Sequence, residues 1–213
     1  ENNEYIVTWA FGHLFSLCDI EDYIEKKDTK WTMESIPCFP EKFKFKLKGE
    51  DKLVSVSDSN DPYIFISTNN GYGLSYNADE VPVTGLKASG VKSISLKNDV
   101  VVSGHLYNDD YEYLTVITRK NTAKRVRLSE FEKSTRARRG VQIIKEVKTN
   151  PYYVLNTFII DYKKQIGLKT GTELNEIKLT EIPISDRHKT GSSISKLDIL
   201  ETYEVKELVT QSE

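Results

Sequence analysis

Three stretches of this chain repeat at a spacing of about fifty residues, and that spacing limits what the chain can fold into. Glu80, Glu130 and Glu181 are each followed ten positions later by Gly90, Gly140 and Gly191. A period near fifty is the size of one four-stranded blade in a propeller-like array. Three such units cannot close a ring, so the expectation is either an open arc or an array with further blades outside this piece, its ends presenting exposed strand edges. Each repeat reads as a hairpin followed by a connector. The hairpins are Tyr63-Ile-Phe-Ile66 with Leu74-Ser-Tyr76, Leu114-Thr-Val-Ile-Thr118 with Val126-Arg-Leu128, and Gln165-Ile-Gly-Leu-Lys169 with Glu176-Ile-Lys-Leu179. Turn chemistry separates the arms: Asn69-Asn70-Gly71, Arg119 to Thr122, and Thr170-Gly171-Thr172. The connectors run from each Glu to its Gly, then into β-rich returns at 91–96, 141–147 and 193–197. The glycines read most simply as backbone devices at a sharp turn. A phosphate cradle is the sharper alternative, but no P-loop or dinucleotide pattern accompanies them.

Charge is unevenly spread. Formal net charge is only −2, yet from Arg119 to Lys148 eleven basic residues stand against three acidic ones. Every Arg except Arg187 lies in that window. Arg has the side chain whose fork best matches phosphate oxygens, and a basic rim suits a bent polyanion. Arg125 and Arg127 alternate with Val126, which puts them on one strand face. Arg136, Arg138 and Arg139 are expected on an exposed connector. Five neutralised phosphates would give a log-affinity slope of about −4.5 against log salt, nearly blind to sequence.

Other classes of function find little support. His13, His105 and His188 are scattered without metal-ligand spacing, so no metal site is expected. Asp109, Asp110 and Glu112 read as a solvated turn. No nucleophile-elbow pattern supports acyl transfer. Cys18 and Cys38 match no metal or redox spacing and point to a reducing, cytoplasmic setting. No apolar run approaches the roughly 18 residues of a membrane span, and no signal peptide is visible. The only Met is Met33, so the chain is expected to be a piece of a longer one.

The repeat region resembles the C-terminal domain of the A subunits of bacterial type IIA topoisomerases, most closely the topoisomerase IV kind. The residues carrying this are Ile66-Ser-Thr-Asn-Asn-Gly-Tyr-Gly-Leu74, Glu80-Val-Pro-Val-Thr-Gly-Leu-Lys-Ala-Ser-Gly-Val-Lys92, Val101-Val-Ser-Gly-His105 and Arg136-Ala-Arg-Arg-Gly-Val-Gln142. The resemblance spans about 49–205. It implies a mainly β, open β-pinwheel of about three blades that exchange strands and bind and bend duplex DNA. The gyrase box, Gln-Arg-Arg-Gly-Gly-x-Gly, survives only as Arg138-Arg139-Gly140 followed by Val141. That departure points to decatenation and relaxation rather than tight wrapping. The implied DNA-binding residues are Lys87, Lys92, Arg119, Lys120, Lys124, Arg125, Arg127, Arg136, Arg138 and Arg139. The resemblance also implies the B subunit of topoisomerase IV as a partner, and Mg2+ and ATP for the full enzyme. It implies no cofactor or catalytic residue in this chain, and a cytoplasmic, nucleoid-associated setting.

Residues 1–48 read differently. Tyr5-Ile-Val-Thr-Trp-Ala-Phe-Gly-His-Leu14, Lys30-Trp31 and Pro40-Glu-Lys-Phe-Lys-Phe45 resemble part of the Toprim domain of type IA topoisomerases of the topoisomerase III kind. That implies a short α/β-type segment at 1–48 ahead of the pinwheel at 49–213, lacking the family's catalytic Glu and Asp-x-Asp motif. Two readings compete with DNA guidance: a non-catalytic type IA fragment, and a protein-interaction propeller.

Overall fold

The computed structural model describes residues 52–57, 59–83 and 90–205, and the strand backbone at 5–9 and 13–17. The remainder of the Toprim-like segment, Lys87 and both cysteines lie outside the described residues. The described chain is mainly β and falls into two compact units. One comprises 1–68, 73–108 and 132–141; the other comprises 69–72, 109–131 and 142–213.

In the first unit, β4 (Tyr63–Thr68) and β5 (Tyr72–Asn77) form the hairpin of the first repeat, with Tyr63 opposite Asn77 and Ser67 opposite Gly73. β7 (Val101–Tyr107) pairs with the other edge of β4. The apolar run in β4 is buried throughout because Ile64 and Ile66 enter the core while Phe65 meets Tyr107 edge-on, at 6.5 Å between ring centres. Ile64, Ile66, Leu74, Tyr76, Ile94 and Val101 form that core. Burial holds the Tyr76 hydroxyl neutral well above its ordinary pKa. A second sheet of this unit has the order β3 (Leu53–Ser57), β1 (Tyr5–Trp9), β2 (His13–Leu17), β6 (Val91–Lys92). Strands on both sides of the expected boundary after residue 48 therefore share one sheet.

The second unit repeats the plan twice. β8 (Tyr113–Thr118) and β9 (Thr122–Arg127) form a hairpin flanked by β11 (Val154–Phe158) and β14 (Ser192–Ser193). β12 (Gln165–Lys169) and β13 (Leu174–Lys178) form the next, flanked by β15 (Glu201–Glu204). Ile117, Ala123, Ile166, Leu168, Leu179 and Ile182 are among its core residues. The hairpins lie where the sequence predicts them, although β9 starts at Thr122 rather than near Val126.

The β-rich returns differ more from expectation. Each shrinks to a two-residue strand, β6, β10 (Val141–Gln142) or β14, that pairs with the second arm of an earlier hairpin. β6 joins β2, β10 joins β5 and β14 joins β9. Beyond the two residues, backbone groups bond to the next connector or, as with Ile143 N–H to Gly71 O and Ile194 N–H to Asn121 O, to the turn of the earlier hairpin. Ala137 N–H donates to Ser93 O, Ser95 N–H to Arg138 O, and Lys145 N–H to Lys189 O.

A Glu and a later Arg fasten two of the exchanged strands, β10 and β14. In the first unit, Arg136 N–H donates to Glu80 Oε2 at 2.8 Å, its Nε to Glu80 O at 3.0 Å, and its Nη1 to Lys92 O at 2.5 Å. In the second unit, Arg187 N–H donates to Glu130 Oε2 and its Nη1 to Gln142 O. The Glu anchors of these repeats are thus acceptors for a later Arg. The anchor glycines do what their spacing suggests. Gly140 and Gly191 have φ of +81° and +83°, and a Cβ would stand 2.2 Å from Gly73 O and 2.7 Å from Ala123 O respectively.

Gly191→Ala should lower unfolding free energy by about 1–3 kcal/mol in urea titration, since it meets both a left-handed φ and a backbone carbonyl. Arg136→Ala should cost about 1–3 kcal/mol through the acceptors it strands, whereas the exposed Arg138→Ala should stay within about 0.5 kcal/mol. Equal losses from both would show that Arg136 fastens nothing.

Candidate nucleic-acid interface

The ten cations that the sequence nominates are not equivalent in the structure. In the first unit, the connector 132–141 lies along β5, bonded by Ser134 N–H to Ser75 O and held at its start by the Glu80–Arg136 fastening. This holds its tip in a fixed conformation, with Ala137 at a φ of +65°. Arg138 and Arg139 stand exposed on that tip, and Arg138 Nε donates to the neighbouring Thr135 hydroxyl. Lys92 is exposed, and its carbonyl is the one that Arg136 grips. Lys133, which the sequence does not nominate, is also exposed, with its ammonium 3.3 Å from the centre of the Tyr63 ring. Arg136 is half-buried and committed to the fastening, so its expected exposure does not hold. Lys87 lies outside the described residues.

In the second unit, Arg119 is exposed at the β8–β9 turn, with Nε 3.4 Å from Asn69 Oδ1. Lys120 donates to Asn150 O and lies over the Tyr152 ring at 4.0 Å. Arg125 and Arg127 both lie over Tyr113, at 5.0 and 5.9 Å, consistent with their sharing a strand face. They differ in depth. Arg127 is exposed, while Arg125 is buried and donates from Nε to Ile182 O.

Lys124 departs furthest from expectation. It sits on the inward face of β9, at the repeat position where β5 has the core residue Leu74, and is 1% exposed. Its ammonium donates to the carbonyls of Asp186, Arg187 and Lys189, each at 2.9 Å. Strand alternation gives no warning of this, because the cage comes from a connector more than sixty residues later. Lys124 and Arg125 are therefore interior polar ties and not surface cations. The shared reason is that the exchanged connector covers β9, and its carbonyls need donors.

Burial lowers the Lys124 pKa from its ordinary 10.5 to about 8, against the opposing pull of Asp186 and Glu130. The unfolded chain then binds the extra proton between those two values. Unfolding free energy should therefore rise as pH climbs from about 8 towards 10, and stay level below 8. The expected gain by pH 9.5 is about 1–2 kcal/mol, less than full burial alone would give because the three carbonyls favour the charged form. Urea titrations across pH 7–9.5 should show that rise in the wild type and not in Lys124→Met. A parallel pH profile in the two proteins would overturn the assignment.

No group of three or more His, Cys, Asp or Glu side chains among the described residues is placed to hold a metal. The β repeats are matched by known proteins. A family model described as the DNA gyrase C-terminal domain, beta-propeller, fits residues 62–104 and 112–160. The A subunit of DNA topoisomerase 4 from Bacillus subtilis is 40% identical over 149 residues, covering 68% of this chain and 18% of that protein. Its Streptococcus pneumoniae counterpart is 31% identical over 188 residues, covering 78% and 22%. The chain thus spans about a fifth of the length of these relatives. Among solved structures, the C-terminal domain of DNA topoisomerase IV superposes with a TM-score of 0.80 at 29% identity, covering 97% of this chain and 62% of that one. The DNA gyrase A C-terminal domain superposes with a TM-score of 0.75 at 15% identity, covering 95% and 66%, and so shows the fold alone. The repeats of this chain belong to the DNA gyrase A C-terminal β-propeller family, and both relatives described above are A subunits of topoisomerase 4.

Proposed function

We propose that the chain binds duplex DNA through phosphate contacts, without reading sequence, and guides a DNA segment for a type II topoisomerase. The observation that carries this is the connector tip at 135–140. Arg138 and Arg139 are exposed there, while the neighbouring Arg136 is committed to holding the tip in place. Two guanidiniums on a conformationally fixed loop can meet phosphate oxygens without first ordering the loop. Lys92 adds to that tip in the first unit; Arg119, Lys120 and Arg127 are the candidates in the second. Lys124, Arg125 and Arg136 are left out of the contact set because the fold uses them.

The relatives' name supports DNA as the polyanion. Bending of the segment, a role in decatenation and relaxation, and a partner B subunit are parts of the same proposal. Catalysis, Mg2+ and ATP would belong to the remainder of a longer enzyme. Among the described residues, no helix is long and apolar enough to cross a membrane. We place the protein with DNA in the cytoplasm, and the Toprim-like reading of 1–48 stays a proposal about sequence kinship.

Binding to a short random-sequence duplex should fall steeply with salt. Contact by about five of the exposed cations gives a log–log slope of about −4.5, and the Arg138→Ala, Arg139→Ala double variant should flatten it to about −2.7. Fluorescence anisotropy across a salt series reads both slopes, and circular dichroism checks that the variant stays folded. An unchanged slope in the variant, or no binding at low salt, would defeat the reading.

A further inference from the structure

Asn70 is the one Asn of the chain that a Gly follows. It lies in the turn 69–71 between β4 and β5 and is exposed, with its Oδ1 accepting from Asn69 Nδ2 at 3.3 Å. The residues on either side of it are tied to later parts of the chain. Asn69 O accepts the Val154 N–H at 2.8 Å, and Gly71 O accepts the Ile143 N–H at 2.9 Å, just past β10. Gly71 has a φ of +83°, and a Cβ there would stand 2.5 Å from Ile144 Cγ2. Backbone conformation and the packing of Ile144 therefore both hold position 71 to glycine.

Asparagine before glycine is chemically labile, because no Cβ shields the glycine amide nitrogen. The Gly71 nitrogen attacks Asn70 Cγ. The N–Cγ bond forms, the Cγ–Nδ2 bond breaks, and Nδ2 leaves as ammonia with the proton from the Gly71 amide. Water then opens the cyclic imide. Opening at Cγ gives aspartate. Opening at the main-chain carbonyl carbon gives isoaspartate, whose backbone runs through Cβ and Cγ and is one atom longer. Either product carries a carboxylate in place of the amide.

The second repeat supplies an inert counterpart. Asn121 stands where the first repeat has Gly71, at a φ of +58°, and its carbonyl accepts the Ile194 N–H. The β-branched Thr122 follows it. Its side chain is held at both ends: Nδ2 donates to Asp198 Oδ1 at 3.1 Å, and Oδ1 accepts the Ile199 N–H at 3.0 Å. At the place of Asn70 that repeat has Lys120, which has no such chemistry.

We infer that Asn70 is a site of spontaneous deamidation in the folded chain, and that its isoaspartate product unseats the backbone just past β10. The extra main-chain atom falls between two bonded carbonyls, so the turn cannot keep both bonds at their present lengths. Val154 is also paired with Thr118 in the β11–β8 ladder, whereas Ile143 lies outside any strand. The Ile143 bond is the one that gives way. The inference stands whether or not the chain binds DNA.

The test ages the full chain, without DNA, at mildly alkaline pH, beside a synthetic peptide of residues 66–74. Peptide mapping by mass spectrometry follows conversion of amide to acid, and labelling by isoaspartyl methyltransferase identifies isoaspartate. We expect conversion at Asn70 ahead of the other asparagines, and none at residue 70 in Asn70→Gln, whose imide ring would be larger and slower to close. In the aged protein the Ile143 amide should exchange about fivefold faster, the loss of one ordinary hydrogen bond. Asn70→Asp adds the charge without lengthening the chain and should leave that exchange unchanged. Residue 70 is exposed, so neither substitution touches the core. Conversion in the peptide but not in the folded chain would show that the turn protects Asn70, and would overturn the site. Equal acid gain in Asn70→Gln would overturn its location. Isoaspartate without faster Ile143 exchange, or equal acceleration by Asn70→Asp, would overturn the unseating.

Discussion

The structure depends on how sheet edges are satisfied. A hairpin in water exposes a row of N–H and C=O groups along each outer edge, and an isolated two-stranded hairpin is marginal at best. Here the first arm gains a neighbour from the chain that follows it, as β4 gains β7 and β8 gains β11. The second arm gains one only from the connector of a later repeat. That late cover decides which residues are interior. Ala123, Lys124 and Val126 are buried because the stretch up to Ser193 lies on β9, and the same stretch turns three carbonyls onto the Lys124 ammonium. The Glu–Arg fastenings and the left-handed glycines are the parts that let a connector reach an earlier hairpin and turn onto its edge.

The basic window from Arg119 to Lys148 consequently has two jobs. Lys124, Arg125 and Arg136 satisfy polar groups inside the fold, each through backbone carbonyls. Arg119, Arg127, Arg138 and Arg139 remain exposed. The division follows depth and not residue type, since Arg125 and Arg127 lie over the same tyrosine, one buried and the other in solvent. A basic surface and a basic interior tie look alike in a one-dimensional charge count.

The repeat, the hairpins and the turn residues are legible in the sequence because they depend on local signals: β-branched runs, Asn-Gly chemistry and a fixed spacing of Glu and Gly. The glycine role is legible too, since a left-handed turn is a local demand. Pairing across more than sixty residues is not. Nothing near Lys124 distinguishes it from a surface lysine; only its alignment with Leu74 one repeat earlier hints that the position faces inward. Arg136 carries a readable signal that composition obscures. Its recurrence as Arg187, six residues after a Glu anchor in each case, marks a structural repeat, whereas Arg138 and Arg139 align with Lys189 and Thr190. The returns read as full strands because their residues are β-prone, but beyond two residues their backbone partners lie on the next connector or on the turn of an earlier hairpin.

The distance along the chain between acceptor and donor also sets a schedule for biosynthesis. β5 ends at Asn77 and β10 begins at Val141; β9 ends at Arg127 and β14 begins at Ser192. Translation at about 5–20 residues per second leaves each acceptor edge uncovered for roughly 3–13 s while the ribosome makes the strand that will cover it. During that interval the nascent chain displays a ready template for a neighbouring chain on the same messenger. Edges carrying Lys124 and Arg125 meet that hazard with like charge, which keeps two such nascent edges apart until the proper connector arrives.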